Sequence, residues 1–175
     1  MSDPWIRDAT PADAEACAAI YAPYVLETAI SFETEPPTTA DLGERIAAAQ
    51  AGHAWLVLGD DTGLRGYAYA GPLKSRAAYR WACEVSVYLR QGSQGRGGGR
   101  MLYEALLSRL RERGYRTALA CVTLPNEASD RLHRAFGFEP AGTWSRVGWK
   151  FETWHDVGFL QLDLEPGAGP PDELR

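Results

Sequence analysis

Three groups of residues in this 175-residue chain have side chains and spacing suited to chemistry. The first is the run Gln94-Gly95-Arg96-Gly97-Gly98-Gly99-Arg100, with four glycines in seven positions. With few side chains in the way, backbone N–H groups in such a turn can point inward at an anion, and a helix starting there adds its dipole. The second is Glu84, flanked by Cys83 and Val85. A carboxylate desolvated by such neighbours has a raised pKa and can accept a proton near neutrality; a buried salt bridge to Arg80 is the structural alternative. The third is the connector carrying Arg76 and Arg80, whose guanidinium forks match two-oxygen acceptors. His133 titrates near neutrality and suits either proton transfer or packing on a helix face.

These groups need elements to hold them. Glu84-Val85-Ser86-Val87-Tyr88-Leu89 is β-branched and aromatic, so it reads as a strand. After the glycines, Leu102, Leu106 and Leu110 recur every fourth residue and predict an amphipathic helix, with Gly114 at its C-terminal cap. The order strand, glycine turn, helix is an anion-binding arrangement, although a tight strand-to-helix turn with no ligand has the same sequence. A nucleotide P-loop would end in Gly-Lys-Ser/Thr, whereas this turn ends Gly99-Arg100-Met101. A dinucleotide fingerprint needs a third glycine where Arg100 stands, and an acid near Thr117 that is absent.

Upstream, Trp5–Ala9 predicts a strand and Thr10-Pro11-Ala12-Asp13 a helix start whose apolar face is Ala14, Cys17, Ala18 and Tyr21. A loop from Glu27 to Pro37 precedes a second helix from Thr38 or Thr39 to Ala51, closed by Gly52. Ala54–Leu58 and Leu64–Ala70 predict a hairpin. Ala118–Thr123 predicts a strand covered on both faces, and Asn126 leads a short helix that ends at Gly137. Phe138–Leu164 predicts two or three antiparallel strands. Residues 1–164 are expected to form one domain, and 165–175, rich in proline and glycine, a disordered tail.

Composition narrows the function classes. A hydrophobic fraction of 45% and a charged fraction of 23% suit a soluble globular protein. Without an apolar run of ~20 residues or a basic-then-apolar leader, no membrane span or signal peptide is expected, and the location expected is cytoplasmic. Cys17, Cys83 and Cys121 are expected as buried free thiols, and no histidine or cysteine spacing predicts a metal site. A net charge of −5 argues against general nucleic-acid binding. Locally, seven arginines between Arg90 and Arg116 form a basic island beside the glycine turn, or simply a solvated helix face.

Gln94-Gly95-Arg96-Gly97-Gly98-Gly99 resembles the Q/R-x-x-G-x-G/A signature of the GNAT superfamily of N-acetyltransferases, and the element order resembles that family's whole architecture. The resemblance implies an α/β fold with a central mixed, largely antiparallel sheet flanked by helices and a splayed strand pair for acetyl-CoA. It implies that Gln94, Gly95, Arg96, Gly97, Gly98, Gly99 and Arg100 cradle the pyrophosphate. Backbone groups around Val87, Tyr88 and Leu89 would pair with the pantetheine arm, and Asn126 and Ser129 would contact that arm or cap their helix.

A narrower resemblance, to the phosphinothricin and methionine sulfoximine acetyltransferases, covers roughly residues 5–164. It rests on Phe32-Glu33-Thr34-Glu35-Pro36, Tyr79-Arg80-Trp81, Glu84–Tyr88, Arg131-Leu132-His133, Gly148-Trp149-Lys150 and Trp154-His155-Asp156-Val157-Gly158-Phe159. It implies Glu84 as general base and His133 as acid or base where many family members carry tyrosine. Phe32, Glu35, Arg76, Tyr79 and Arg80 are the expected pocket for a small amino-acid-like amine, and a homodimer is the expected assembly. The alternatives are acetylation of another amine (a protein N-terminus or lysine, a polyamine, an aminoglycoside) or a non-catalytic acyl-CoA sensor.

Overall fold

A computed structural model describes residues 3–167 and 169–175. Met1, Ser2 and Ala168, the last within the expected tail, lie outside the described residues. Among the described residues, seven strands form one sheet: β1 (Trp5–Asp8), β2 (Ala54–Asp60), β3 (Gly63–Pro72), β4 (Ala82–Leu89), β5 (Thr117–Leu124), β6 (Glu139–Lys150) and β7 (Thr153–Asp163). Four helices flank it: α1 (Ala14–Glu27), α2 (Thr39–Gly52), α3 (Gly98–Glu112) and α4 (Glu127–Ala135). The strand order is β1-β2-β3-β4-β5-β7-β6, and only β4 and β5 run parallel. This is the mixed, largely antiparallel sheet expected from the sequence.

Local chemistry accounts for the helix ends. Thr38 caps α2 by accepting from the Asp41 amide at 3.2 Å, while the Asp41 carboxylate accepts from the Thr38 amide at 2.9 Å, which satisfies donors with no partner inside the helix. On α3 the periodic leucines Leu102, Leu106 and Leu110 are fully buried together with Tyr103 and Leu107, so the 3.6-residue period seats this helix on the sheet. Leu56, Leu58, Ala68, Val85, Ala118 and Ala120 belong to the same core. The opposite face of β2 and β3, through Trp55, Val57 and Tyr67, packs against Cys17, Tyr21, Val25, Leu42 and Ile46 of α1 and α2.

Two expectations, the burial of Cys121 and the covering of β5 on both faces, need correction. Cys17 and Cys83 are buried, but Cys121 is exposed. On β5 burial alternates: Ala118, Ala120 and Val122 are buried, whereas on the other face Leu119 and Thr123 are half-buried and Cys121 is exposed, so only one face of this strand is fully covered. The segment after Leu164 runs back over the body: the Trp81 indole N–H donates to the Asp172 carbonyl at 2.9 Å, the Arg175 amide donates to the Arg113 carbonyl at 3.0 Å, and Leu174 packs against the core. As expected, Phe138–Leu164 is antiparallel, a long hairpin of two strands. Its tip, Phe151 and Glu152, has φ of 51° and 58°, the left-handed pair that a two-residue turn of this kind requires.

Candidate active site

β4 and β5 pair only from Ala82↔Thr117 to Glu84↔Leu119. Beyond that step the strands part, because β5 stays with β7 along its full length, from Thr117↔Asp163 to Leu124↔Asp156. The resulting fork opens a cavity of about 460 Å³, a size typical of small-molecule sites. Val85–Leu89 form one wall and Ala120–Thr123 the other, with the start of α3 and the face of α4 closing the sides.

The glycine turn lies at the wide end of the fork. Gly95 and Gly97 have φ of 76° and 80°, and a Cβ on either would meet nothing within 4 Å. A left-handed backbone next to empty space, at the N-terminus of a fifteen-residue helix, is a cradle that an anion fits. Gln94, Gly99 and Arg100 also line the cavity. Arg96 and Gly98 do not, and Gly98 has a packing reason instead: a Cβ there would stand 2.8 Å from a Leu58 methyl.

Val87, Tyr88 and Leu89 line the cavity as expected, but their backbone groups differ. The Arg90 amide donates to the Arg65 carbonyl, toward β3, so strand alternation turns the groups of Leu89 and Val87 toward the fork and those of Tyr88 toward β3. The Leu89 groups are already engaged: the Tyr24 hydroxyl donates to the Leu89 carbonyl at 2.6 Å and accepts from its amide at 3.3 Å.

Glu84 sits at the narrow end, partly buried, at the last paired step. It is not among the lining residues, but Cys121, which is, lies beside its carboxylate. Partial desolvation between the walls of the fork, together with the charge and hydrogen bonding of Glu84, pushes the otherwise exposed Cys121 thiol up to about 12. Burial also raises the Tyr69 phenol, with a contribution from the Glu84 charge. The alternative of a Glu84–Arg80 salt bridge is not what forms: the Arg80 guanidinium lies 4.0 Å over the Trp81 ring and 3.6 Å from the Glu173 carboxylate.

His133 lines the cavity but is only 3% exposed. Its Nδ1 lies 2.7 Å from the Ser129 carbonyl, and its Nε2 lies 2.8 Å from the Tyr103 hydroxyl. A carbonyl can only accept, so Nδ1 carries the proton, and in the neutral ring Nε2 accepts from Tyr103. Burial lowers the histidine's pKa below its usual 6.5, which keeps the ring neutral near pH 7. Both nitrogens are therefore occupied, which supports the packing alternative over an acid or base. Asn126 caps α4, its side chain accepting from the Ser129 amide at 3.1 Å.

None of the five expected substrate residues lines the cavity. Phe32 covers Gly148, where a Cβ would approach its ring to 2.2 Å. Glu35 is exposed, as are Arg76, Tyr79 and Arg80 on the connector between β3 and β4. The inward acid of that loop is Glu33, which accepts from the Tyr21 hydroxyl at 3.0 Å and from both Arg45 nitrogens at 2.7 and 3.1 Å; the Arg45 bonds hold its carboxyl below the usual range. Lys150, 7% exposed, anchors the same loop by donating to the Val25 and Ser31 carbonyls at 2.6 and 2.7 Å. Lys74, at the start of the cationic connector, places its charge within reach of Cys121. Tyr24, Tyr103 and Cys121 were missed. Only Tyr103 carried a sequence signal, adjoining the leucine stripe of α3.

Residues 6–158 match the Acetyltransferase (GNAT) domain family. The chain is 39% identical over 170 residues to a phosphinothricin N-acetyltransferase from Streptomyces viridochromogenes, covering 97% of this chain and 92% of that protein. It is 37% identical over 171 residues to an L-methionine sulfoximine/L-methionine sulfone acetyltransferase from Pseudomonas aeruginosa, covering 95% and 98%. A GNAT superfamily phosphinothricin acetyltransferase from Sinorhizobium meliloti, solved in complex with AcCoA, superposes with a TM-score of 0.93 at 34% identity, covering 98% of this chain and 95% of that one.

Proposed function

Because this chain belongs to the GNAT acetyltransferase family, we propose that it transfers the acetyl group of acetyl-CoA to the α-amine of a small glutamate-like amino acid, such as phosphinothricin or methionine sulfoximine. The observation that carries this reading is the fork between β4 and β5, with an anion cradle at its wide end and Glu84 where it closes. From Leu89 back to Glu84 the extended strand spans roughly 17 Å, so an arm anchored at the turn and laid along β4 brings its far end toward the carboxylate.

Acetyl-CoA supplies the acyl group already activated as a thioester. The amides of Gly95, Gly97 and Gly99 and the Arg100 guanidinium bind the pyrophosphate, and the Val87 backbone pairs with the arm. Glu84 takes a proton from the substrate ammonium, directly or through water, because only a neutral amine attacks. With its thiol near 12, Cys121 stays protonated at neutral pH and is not the nucleophile; direct attack by the amine needs no covalent enzyme intermediate. His133 and Tyr103 hold α4 against α3. The substrate wall we propose is Phe32, Glu35, Arg76 and Tyr79, with Lys74 near Cys121; Arg80 is engaged by Trp81 and Glu173.

The assembly expected is a cytoplasmic homodimer, and the surface that favours it is the β6–β7 hairpin. Trp144, Trp149, Phe151 and Trp154 are each 55–58% exposed there, with Val147 at 48%. Half-exposed aromatic side chains of this number offer on the order of 400 Å², about half of one partner's share in a standard interface.

The test is thiol release from acetyl-CoA with a panel of amines: phosphinothricin, methionine sulfoximine, methionine sulfone, a polyamine, an aminoglycoside and an N-terminal peptide. Turnover confined to the amino acids supports the reading, and turnover of another amine replaces it. Binding of acetyl-CoA with no turnover of any amine makes the chain a sensor. Glu84→Gln should lower kcat by roughly 10²–10⁴; unchanged activity across pH removes Glu84 from the mechanism.

A further inference from the structure

The closed end of the fork is held by few bonds. The Trp81 carbonyl accepts from the Arg116 and Thr117 amides at 2.9 and 3.3 Å, and the short β4–β5 pairing follows, from Ala82 to Glu84. The described residues of the segment 165–175 touch both sides of this end. On the β5 side, the Glu165 carboxylate lies 3.6 Å from the Arg116 guanidinium. At the end of α3, the Arg175 amide donates to the Arg113 carbonyl at 3.0 Å, and Leu174 packs against the core beside Gly114. On the β4 side, the Asp172 carbonyl accepts from the Trp81 indole at 2.9 Å, and the Glu173 carboxylate lies 3.6 Å from Arg80. The Arg80 pair is exposed and contributes little; the indole bond and the half-buried Leu174 are the anchors.

The connector that carries Lys74, Arg76 and Tyr79 enters β4 at Trp81, and Glu84 follows three residues later. From this we infer that residues 165–175 are a strap, gripping Trp81 as a positioning residue, that fixes the connector and Glu84 at the closed end of the fork. The inference rests on the acetyl-transfer reading given above, in which the connector and Glu84 handle the amine. The glycine cradle lies at the other end of β4, roughly 17 Å from Glu84. The strap therefore bears on the amine and leaves the grip on coenzyme A alone.

Deletion of residues 166–175 tests this with two readouts. The first is residue-resolved amide exchange without ligand. The Arg80 amide, which closes the connector's turn on the Ala77 carbonyl, and the Arg116 and Thr117 amides report the two sides. Each should exchange about tenfold faster, as loss of roughly one hydrogen bond's stabilisation implies, while amides of β2 and β3 keep their rates. The second is kinetics. A 1 Å misplacement can cost about a hundredfold, so a loosened connector should lower kcat/KM for the amine about tenfold, with acetyl-CoA affinity by calorimetry within about twofold. Trp81→Phe keeps the ring and loses only the indole donor; it should move the Arg80 amide and the amine kcat/KM the same way, about threefold, and it carries the test if the shortened chain does not fold. Unchanged exchange at Arg80, Arg116 and Thr117 overturns the strap, whatever the kinetics. Faster exchange with unchanged amine kcat/KM overturns its positioning role, as does a loss confined to acetyl-CoA affinity. A full-length chain that acetylates no amine fails the functional reading and the positioning role with it, and the exchange arm distinguishes that failure from the absence of a strap.

Discussion

Replacing Gly97 by alanine separates the two reasons a glycine can stand at the head of α3. The residue has φ 80° and ψ −4°, lines the cavity, and a Cβ there would meet nothing within 4 Å. Folding therefore feels only the left-handed backbone, which costs an L-residue about 1–2 kcal/mol. For a chain of this size each kcal/mol lowers Tm by about 2–4 °C, so Gly97→Ala should melt about 2–8 °C lower. Binding feels something different. A methyl group in the cradle displaces a phosphate from charge-assisted N–H bonds worth about 1.5–3 kcal/mol each, which weakens coenzyme A about 10- to 100-fold. Thermal melting and calorimetric titration with coenzyme A measure the two effects independently. Gly97→Asn is the control, because asparagine tolerates the left-handed region: most of the lost Tm should return while the affinity stays low. Coenzyme A binding within twofold of wild type in Gly97→Ala would refute the cradle; affinity recovered in Gly97→Asn would show that backbone strain alone had weakened binding.

Tyr103→Phe strands the buried Nε2 of His133 without its donor, at a cost of about 1–3 kcal/mol; Tm should drop by about 5 °C while kcat falls less than tenfold, whereas a kcat loss above a hundredfold would return His133 to proton transfer. Asp13 is held at about 2, from an ordinary 3.8, chiefly by its hydrogen bond from Arg7. A depressed carboxylate stabilises the fold fully above about pH 4, and that stability fades as pH falls through about 2. Discounted for the half-exposed Arg7, it amounts to about 1 kcal/mol, so urea unfolding of wild type and Asp13→Asn should differ at pH 6 and converge near pH 2. Gly66→Ala places a Cβ 2.8 Å from the Tyr88 carbonyl oxygen; strand β4 must shift, with a loss of about 1–3 kcal/mol, and unaltered melting would show that the sheet yields there. Replacing Trp149 and Trp154 together by serine should convert a sedimenting dimer to monomer.

The sequence made periodic and local features readable. The leucines of α3 were legible because a 3.6-residue stripe has one packing solution, and the α2 start because Thr38 and Asp41 satisfy each other within one turn. The fold class followed from the order of such segments. What stayed hidden was decided by distant chain. Cys121 sits in an apolar run, and only the departure of β4 exposes it. Arg80 is taken up by Trp81 and by Glu173 from the far end of the chain, so the pairing with Glu84 four residues away does not form. Glu33 and Glu35 are equally acidic in sequence, and the reach of Arg45 and Tyr21 decides which one turns inward. The Tyr24 bond to Leu89 spans 65 positions and leaves no local trace.

Three paired positions join β4 to β5, whereas β3 and β4 share seven and β5 and β7 share eight. Mechanically, the seven-stranded sheet is two stiff panels meeting along a short seam, and the seam is its weak axis. A ligand that bridges both sides acts there as a rivet. At a hundred times its dissociation constant it adds about 2.7 kcal/mol, applied where the panels would otherwise separate under thermal load. The same opening that admits the ligand is where the sheet has its fewest paired positions, so occupancy reinforces the sheet where its own ladder is shortest.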